Sequence, residues 1–232
     1  EIEITLPENM LAIPFGSSEA EVVAEHRDGT RTWRYEHNGA GGILYAGDYI
    51  REDIEAGGMT IQFYYGHKHQ AVMEAAKAVD AVKEVVDYCT EHYGSLSFGT
   101  GETLKLIQSR VAGGGYATTG ASLLDEADFT AANLGNTEKG GGAGEVMIHE
   151  LVHQWWGLGN MFDVGDETSP WSSEGLTVYT TYRIVTDLYG EEYAQEHYVD
   201  QWQKAVDDYY LNFYVRNPEY LEMLPAQVQL AI

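Results

Sequence analysis

Apolar and polar residues alternate along the first part of the chain, and this alternation predicts β-strands. It is clear over residues 2–6 and again over 32–37, which follow the turn signal Asp28-Gly29. One more alternating stretch covers 59–65. We therefore predict a β-rich segment over residues 1–58, with a further strand directly after it.

From residue 69 the apolar residues recur every three or four positions, which is the period of an amphipathic α-helix. The pattern predicts a helix that continues to Tyr93 and stops at Gly94, with Cys89 buried on its apolar face. Later elements are predicted in chain order: a strand over 104–111, a short apolar run over 121–124, and helices over 145–157, 173–189 and 191–214. This order favours an α+β fold, in which a β-rich segment precedes a mainly helical domain with a small sheet.

The charge of the chain excludes one class of partner. Its 232 residues include 13 Lys and Arg against 37 Asp and Glu, a formal net charge of −24. Such a surface repels phosphate backbones, so we expect no nucleic-acid partner. No apolar run is long enough to predict a membrane span. The chain also begins without a methionine and inside a strand pattern, which indicates a piece of a longer protein.

The strongest chemical signal is the run His149-Glu150-Leu151-Val152-His153. On a helix, residues four apart lie on one face, so both imidazoles can bind one zinc ion. Glu150 follows the first ligand and adjoins the position of a zinc-bound water. A carboxylate at that place can accept the proton of the water as it attacks a carbonyl. The motif therefore predicts a hydrolytic metal site.

A catalytic zinc ion needs one more protein ligand, and Glu174 is the candidate. It lies in the predicted next helix, which Ser172 or Ser173 can cap. The competing interpretation is that the histidines are structural and that Glu174 is only a favourable acid in a first helical turn. We predict one Zn²⁺, bound by His149, His153 and Glu174.

The two motifs together resemble the M1 aminopeptidase family of the gluzincin clan. The resemblance is carried by His149 to Gly157, with the sequence HELVHQWWG, and by Trp171 to Tyr179, with the sequence WSSEGLTVY. It implies that residues 1–58 are the end of an N-terminal β-domain and that 59–232 belong to a thermolysin-like catalytic domain. It also implies zinc-dependent hydrolysis of peptides, a longer parent chain and an extracytoplasmic or membrane-tethered parent.

The chain departs from the family pattern at three places. The stretch between His153 and Glu174 is longer, and Thr181 stands where the clan has an acid that supports the zinc ligands. In the family, a glutamate on a glycine-rich strand holds the free α-amine of the substrate. The matching strand here contains Gly114, Gly115, Tyr116 and Ala117, with Tyr116 in the glutamate position. We expect this strand to bind the peptide backbone, but exopeptidase selectivity is left open.

Several alternatives stay open at this stage. The chain could be a non-catalytic, zinc-stabilised module that captures peptides, although such a module has no use for Glu150. Epoxide hydrolysis is a further possible activity, because one branch of the family is an epoxide hydrolase. The resemblance places the transition-state tyrosine after Ile232. His67 and His69 alternate on a predicted strand and could share a second metal ion, but no third ligand is evident in the sequence.

Overall fold

The computed structural model describes residues 1–14, 16, 18–36, 44–75, 77–96, 103–110, 114–129, 142–159, 161–162 and 171–221. The strands are β1 (Ile2–Pro7), β2 (Leu11–Pro14), β3 (Glu21–Glu25), β4 (Thr30–Tyr35), β5 (Leu44–Gly47), β6 (Tyr49–Ala56), β7 (Met59–Gly66), β8 (Thr103–Ser109), β9 (Gly115–Thr118), β10 (Ala121–Asp125), β11 (Trp156–Gly157) and β12 (Met161–Phe162). The α-helices are α1 (Gln70–Ala75), α2 (Ala78–Tyr93), α3 (Gly142–Val152), α4 (Leu176–Tyr189), α5 (Glu191–Ala194), α6 (Asp200–Leu211), α7 (Phe213–Arg216) and α8 (Pro218–Leu221).

The chain forms two compact units, residues 1–184 and 185–232. In the first unit, β1, β4 and β3 make a three-stranded antiparallel sheet, and β2 pairs with β5. The observed mixture of sheets and helices confirms the predicted α+β class. None of the helices among the described residues is long and apolar enough to cross a membrane.

A five-stranded sheet in the order β6-β7-β8-β10-β9 is the frame of the first unit. Strands β7, β8 and β10 are parallel, whereas β6 and β9 run antiparallel to their neighbours at the two edges. The predicted domain division at residue 58 falls in the turn between β6 and β7, which share this sheet. That division stays a prediction.

Each face of the large sheet is covered by a different part of the chain. On one face, Tyr64, Ile107 and Leu123 form a buried row, and strand β2 covers it through Ile13. Helix α2 packs against β6 and α3, and its buried stripe is made of Ala78, Ala81, Val82, Val85, Val86 and Cys89. The predicted burial of Cys89 is therefore confirmed, and burial raises the pKa of its thiol.

The predicted helices differ from the observed ones in extent and continuity. The helix expected from residue 69 is split into α1 and α2, because Lys77 adopts a left-handed backbone conformation with φ of 50°. The helix expected to reach residue 157 ends at Val152. Two hydrogen-bonded turns follow, from the amides of Gln154 and Trp155 to the carbonyls three residues earlier. The chain then enters β11, where Gly157 has φ of 91° and pairs with Phe162. The last predicted helix, 191–214, is interrupted by a π-helical turn at Gln195–Val199.

Candidate metal centre

One side of helix α3 is buried in the core, and its candidate metal ligands and catalytic base lie away from that side. Met147, Ile148, Leu151 and Val152 are each at most 1% exposed. The helix packs against β9 and β10, so it lies beside the edge of the large sheet. The rings of His149 and His153 lie one helical turn apart, with their centroids separated by 4.6 Å. This is the i, i+4 arrangement that the sequence predicts.

Glu174 approaches both imidazoles from the next element of the chain. It lies in a π-helical turn, Trp171–Gly175, that leads into α4. Its Oε2 is 3.2 Å from Nε2 of His149, and its Oε1 is 3.5 Å from Nε2 of His153. The predicted helix start at Ser173 is therefore slightly late, since the helical backbone already begins at Trp171.

These donor atoms fit a tetrahedral zinc ion. Two ligands at the usual zinc–nitrogen and zinc–oxygen bond lengths lie about 3.4 Å apart in tetrahedral geometry. The two measured N–O separations lie on either side of that value, and one ligand atom from each of the three residues falls within 4.8 Å of the others. Among the described residues this is the one group of three or more His, Cys, Asp or Glu side chains with such spacing.

The surroundings of His149 favour its neutral form. Burial lowers its pKa, and the neighbouring His153 lowers it further, whereas Glu174 raises it. A neutral imidazole is the form that coordinates a metal. The site therefore favours the protonation state that zinc requires.

His153 is oriented by groups that the sequence reasoning did not identify. Its Nδ1 donates to the main-chain carbonyl of Trp156 at 3.1 Å and lies 3.2 Å from Oγ1 of Thr177. These contacts place the proton on Nδ1 and leave the Nε2 lone pair directed at the metal position. Thr181, which stands where the clan has a supporting acid, donates to the carbonyl of Thr177.

Glu150 lies against the edge strand of the large sheet. It is 7% exposed, and burial together with the charge of Glu174 raises the pKa of its carboxyl to about 7. A dication bound by Glu174 would oppose both effects and favour the ionised form of Glu150. A Cβ atom placed on Gly115 would lie 2.2 Å from Cγ of Glu150. Only glycine therefore allows β9 to approach Glu150 this closely.

A cavity of about 330 Å³ joins the metal ligands, Glu150 and the edge strand. Of the predicted substrate-binding residues, Gly115, Tyr116 and Ala117 line this cavity. Gly114 precedes the strand, and its carbonyl accepts a hydrogen bond from the amide of Asp125 at 2.8 Å. The Tyr116 side chain is 58% exposed and pairs across the sheet with Leu123.

The other sites weighed from the sequence do not assemble. His67 and His69 lie in a short 3-10 turn, not in a strand. His67 faces Asp48 at 3.1 Å, and His69 lies 3.0 Å from Gln108. The transition-state tyrosine that the resemblance implies after Ile232 lies outside the described residues.

Comparison with known proteins shows a family match for the larger part of the chain. The family model described as the peptidase family M1 domain matches residues 77–212. Leucine aminopeptidase 2 of Emericella nidulans is 31% identical over 81 residues, which are 35% of this chain and 12% of that protein. A leukotriene A-4 hydrolase homolog of Botryotinia fuckeliana is 36% identical over 64 residues, or 28% of this chain and 9% of its own.

Solved structures share the fold at low sequence identity. The M1 zinc metallopeptidase of Deinococcus radiodurans has a TM-score of 0.53 and 18% identity, with 87% of this chain and 43% of that chain covered. Aminopeptidase A of Legionella pneumophila, solved with aspartic acid, has a TM-score of 0.58 and 18% identity, covering 81% of this chain and 23% of that one. The chain thus spans less than half the length of the proteins that it matches.

The fold is the one that these solved metallopeptidase structures share. The chain belongs to peptidase family M1, as its resemblance predicts, because the family model covers more than half of it.

Proposed function

We propose that this chain forms the zinc-binding and hydrolytic part of a peptidase of the M1 aminopeptidase type. The supporting observation is the single cavity in which His149, His153, Glu174 and Glu150 face the backbone of β9. One ion held by the first three residues would supply a Lewis acid that polarises the peptide carbonyl.

Residues of this chain carry out the proton transfer and bind the substrate. Glu150 accepts a proton from the attacking water and can return it to the leaving amine, as a carboxylate beside the cavity and with a raised pKa can do. Gly115 to Ala117 bind an extended peptide along β9, which is the edge strand of this sheet among the described residues. The side chains of α3 and the strand together exclude much of the water around Glu150.

The position of Tyr116 suggests how the substrate is selected. A phenol at this place offers no full charge to an ammonium group, and charge-assisted hydrogen bonds are roughly twice as strong as neutral ones. We therefore propose that a free N-terminus is not strictly required. The alternative of a non-catalytic peptide-binding module is not favoured, since the named relatives are aminopeptidases and a hydrolase homologue.

Exchange of Glu150 for Gln tests the proposal. The variant E150Q keeps the shape of the side chain and removes the base, so peptide hydrolysis should fall about a hundredfold or more while zinc stays bound. The matched control is E145Q, which removes an acid from the first turn of the same helix. Unchanged hydrolysis in E150Q, or loss of hydrolysis in both variants alike, would contradict the role of Glu150.

A further inference from the structure

Gln154 follows directly after the zinc ligand His153, is 0% exposed, and has no role in the mechanism above. Both ends of its amide are bonded. Its Oε1 accepts from the backbone amide of Gly120 at 3.0 Å. Its Nε2 donates to the carbonyl of Thr118 at 2.9 Å and to Oγ of Ser122 at 3.1 Å, with the Ala121 carbonyl at 3.4 Å. The donor at Gly120 and the acceptor at Thr118 together fix which way the amide points.

All of these partners belong to the hairpin that joins β9 to β10. The turn of the hairpin contains Gly120 with φ of 77°, and the carbonyl of Gly120 accepts from the amide of Lys105 on β8 at 3.0 Å. The hairpin is therefore held from two sides, by the sheet and by the turn that ends α3. The Gln154 side chain therefore connects the turn after the metal helix to the strand proposed to bind the peptide.

A second connection runs from Gln154 to the backbone of the catalytic base. Ser122 accepts from Gln154 and donates its hydroxyl to the carbonyl of Glu150 at 2.7 Å. At the opposite end of β9, Gly115 lies in direct contact with the Glu150 side chain. The strand is thus fixed against α3 near both of its ends, by close packing at Gly115 and by the amide of Gln154 beyond Thr118.

We infer that Gln154 is a positioning residue, which sets the placement of β9 relative to Glu150 and the metal ligands. Its effect on turnover rests on the proposed function, whereas its effect on the position of β9 does not. A misplacement of about 1 Å between substrate and catalytic groups can reduce rate about a hundredfold. A buried amide that served only stability could bond to any part of the core, but the four partners of Gln154 all lie in residues 118–122.

The test compares Q154M with Q108M in the full chain. Methionine keeps the length of the glutamine side chain and removes the hydrogen bonds. Gln108 is a matched control because it is 4% exposed, lies on β8 of the same sheet, and accepts from the backbone amide of Gly66 at 2.8 Å. Each protein is measured for zinc content, unfolding midpoint, kcat and KM on a peptide substrate, and the position of β9 relative to α3 in a crystal structure.

The inference predicts that Q154M keeps its zinc, displaces β9 from α3, and loses about tenfold or more in kcat with a smaller change in KM. Q108M should lose stability while β9 and kcat stay as in the parent. Parent-like kcat and an undisplaced β9 in Q154M would overturn the inference, and so would loss of zinc. If the parent itself hydrolyses no peptide while β9 still moves in Q154M, the positioning role stands and the proposed function fails.

A milder variant keeps the test usable if Q154M does not fold. S122A removes only the link between Gln154 and the Glu150 carbonyl, so it should lower kcat by a smaller factor than Q154M does. Where Q154M does fold, the effects of S122A and Q154M should be less than additive, because the two side chains are hydrogen-bonded to each other. Full additivity would show that Gln154 does not act through Ser122.

Discussion

The close contact between Gly115 and Glu150 makes G115A a direct test of the site geometry. A methyl group on residue 115 would lie 2.2 Å from Cγ, 2.5 Å from Cδ and 2.5 Å from Oε1 of Glu150. Ordinary contacts begin near 3.4 Å, so the strand and the carboxylate must separate by about 1.2 Å. Because Cγ lies near the root of the side chain, Glu150 cannot avoid the methyl group by moving only its carboxylate.

A separation of this size predicts a loss of about a hundredfold in kcat/KM, since catalysis depends on placement within about 1 Å. Zinc content should not change, because neither residue is a proposed ligand. The control is G66A, whose added methyl group would meet nothing closer than 3.6 Å, at a backbone φ of −70° that any residue adopts. Hydrolysis rates of G115A, G66A and the parent are compared on one peptide. Parent-like activity in G115A would refute the proposed relation between β9 and Glu150.

Three further predictions follow from particular contacts. Burial lowers the pKa of Lys105 to about 8, so the unfolded chain binds more protons between pH 8 and the ordinary pKa of 10.5, and stability rises with pH over this range. The rise in stability is worth about 3 kcal/mol, and the variant K105M should lack it. Chemical unfolding of the parent and of K105M at pH 7.5 and 10.5 measures the difference. An equal change in stability with pH in both proteins would show that Lys105 is not the group responsible. T177V removes the hydroxyl beside Nδ1 of His153 and should weaken zinc binding about tenfold, as competition with a chelator would show; unchanged affinity would leave the Trp156 carbonyl as the effective partner. With Tyr116 in place of an acid, a peptide and its N-acetylated form should be cleaved at rates within about tenfold of each other, and a much larger preference for the free amine would show that another acid binds it.

The local parts of the site could be predicted from the sequence. The i, i+4 spacing of His149 and His153 depends only on helix geometry, and an apolar stripe of residues such as Leu151 is enough to orient them. Alternation of apolar residues likewise predicted β1, β4 and β7. Cys89 was predicted to be buried because it falls on the apolar face of a strongly periodic helix, and it is fully buried.

The parts that join distant segments could not be predicted in this way. Gln154 bonds to residues 32 to 36 positions away, and Gly115 on β9 contacts Glu150 on α3, so no local period records either contact. The Trp156 carbonyl that orients His153 is a main-chain group, which any residue would supply. The break at Lys77 falls within a run of alanines, where the apolar spacing continues although the backbone turns left-handed.

The most direct test of the central claim is the location of zinc in the loaded protein. A crystal structure measured at the zinc absorption edge should show one anomalous peak, with Nε2 of His149, Nε2 of His153 and the carboxylate of Glu174 at about 2 Å from it. Variants H149A and E174A should bind zinc more weakly in the same preparation. A peak at another place, or no zinc after loading while the protein remains folded, would contradict the account.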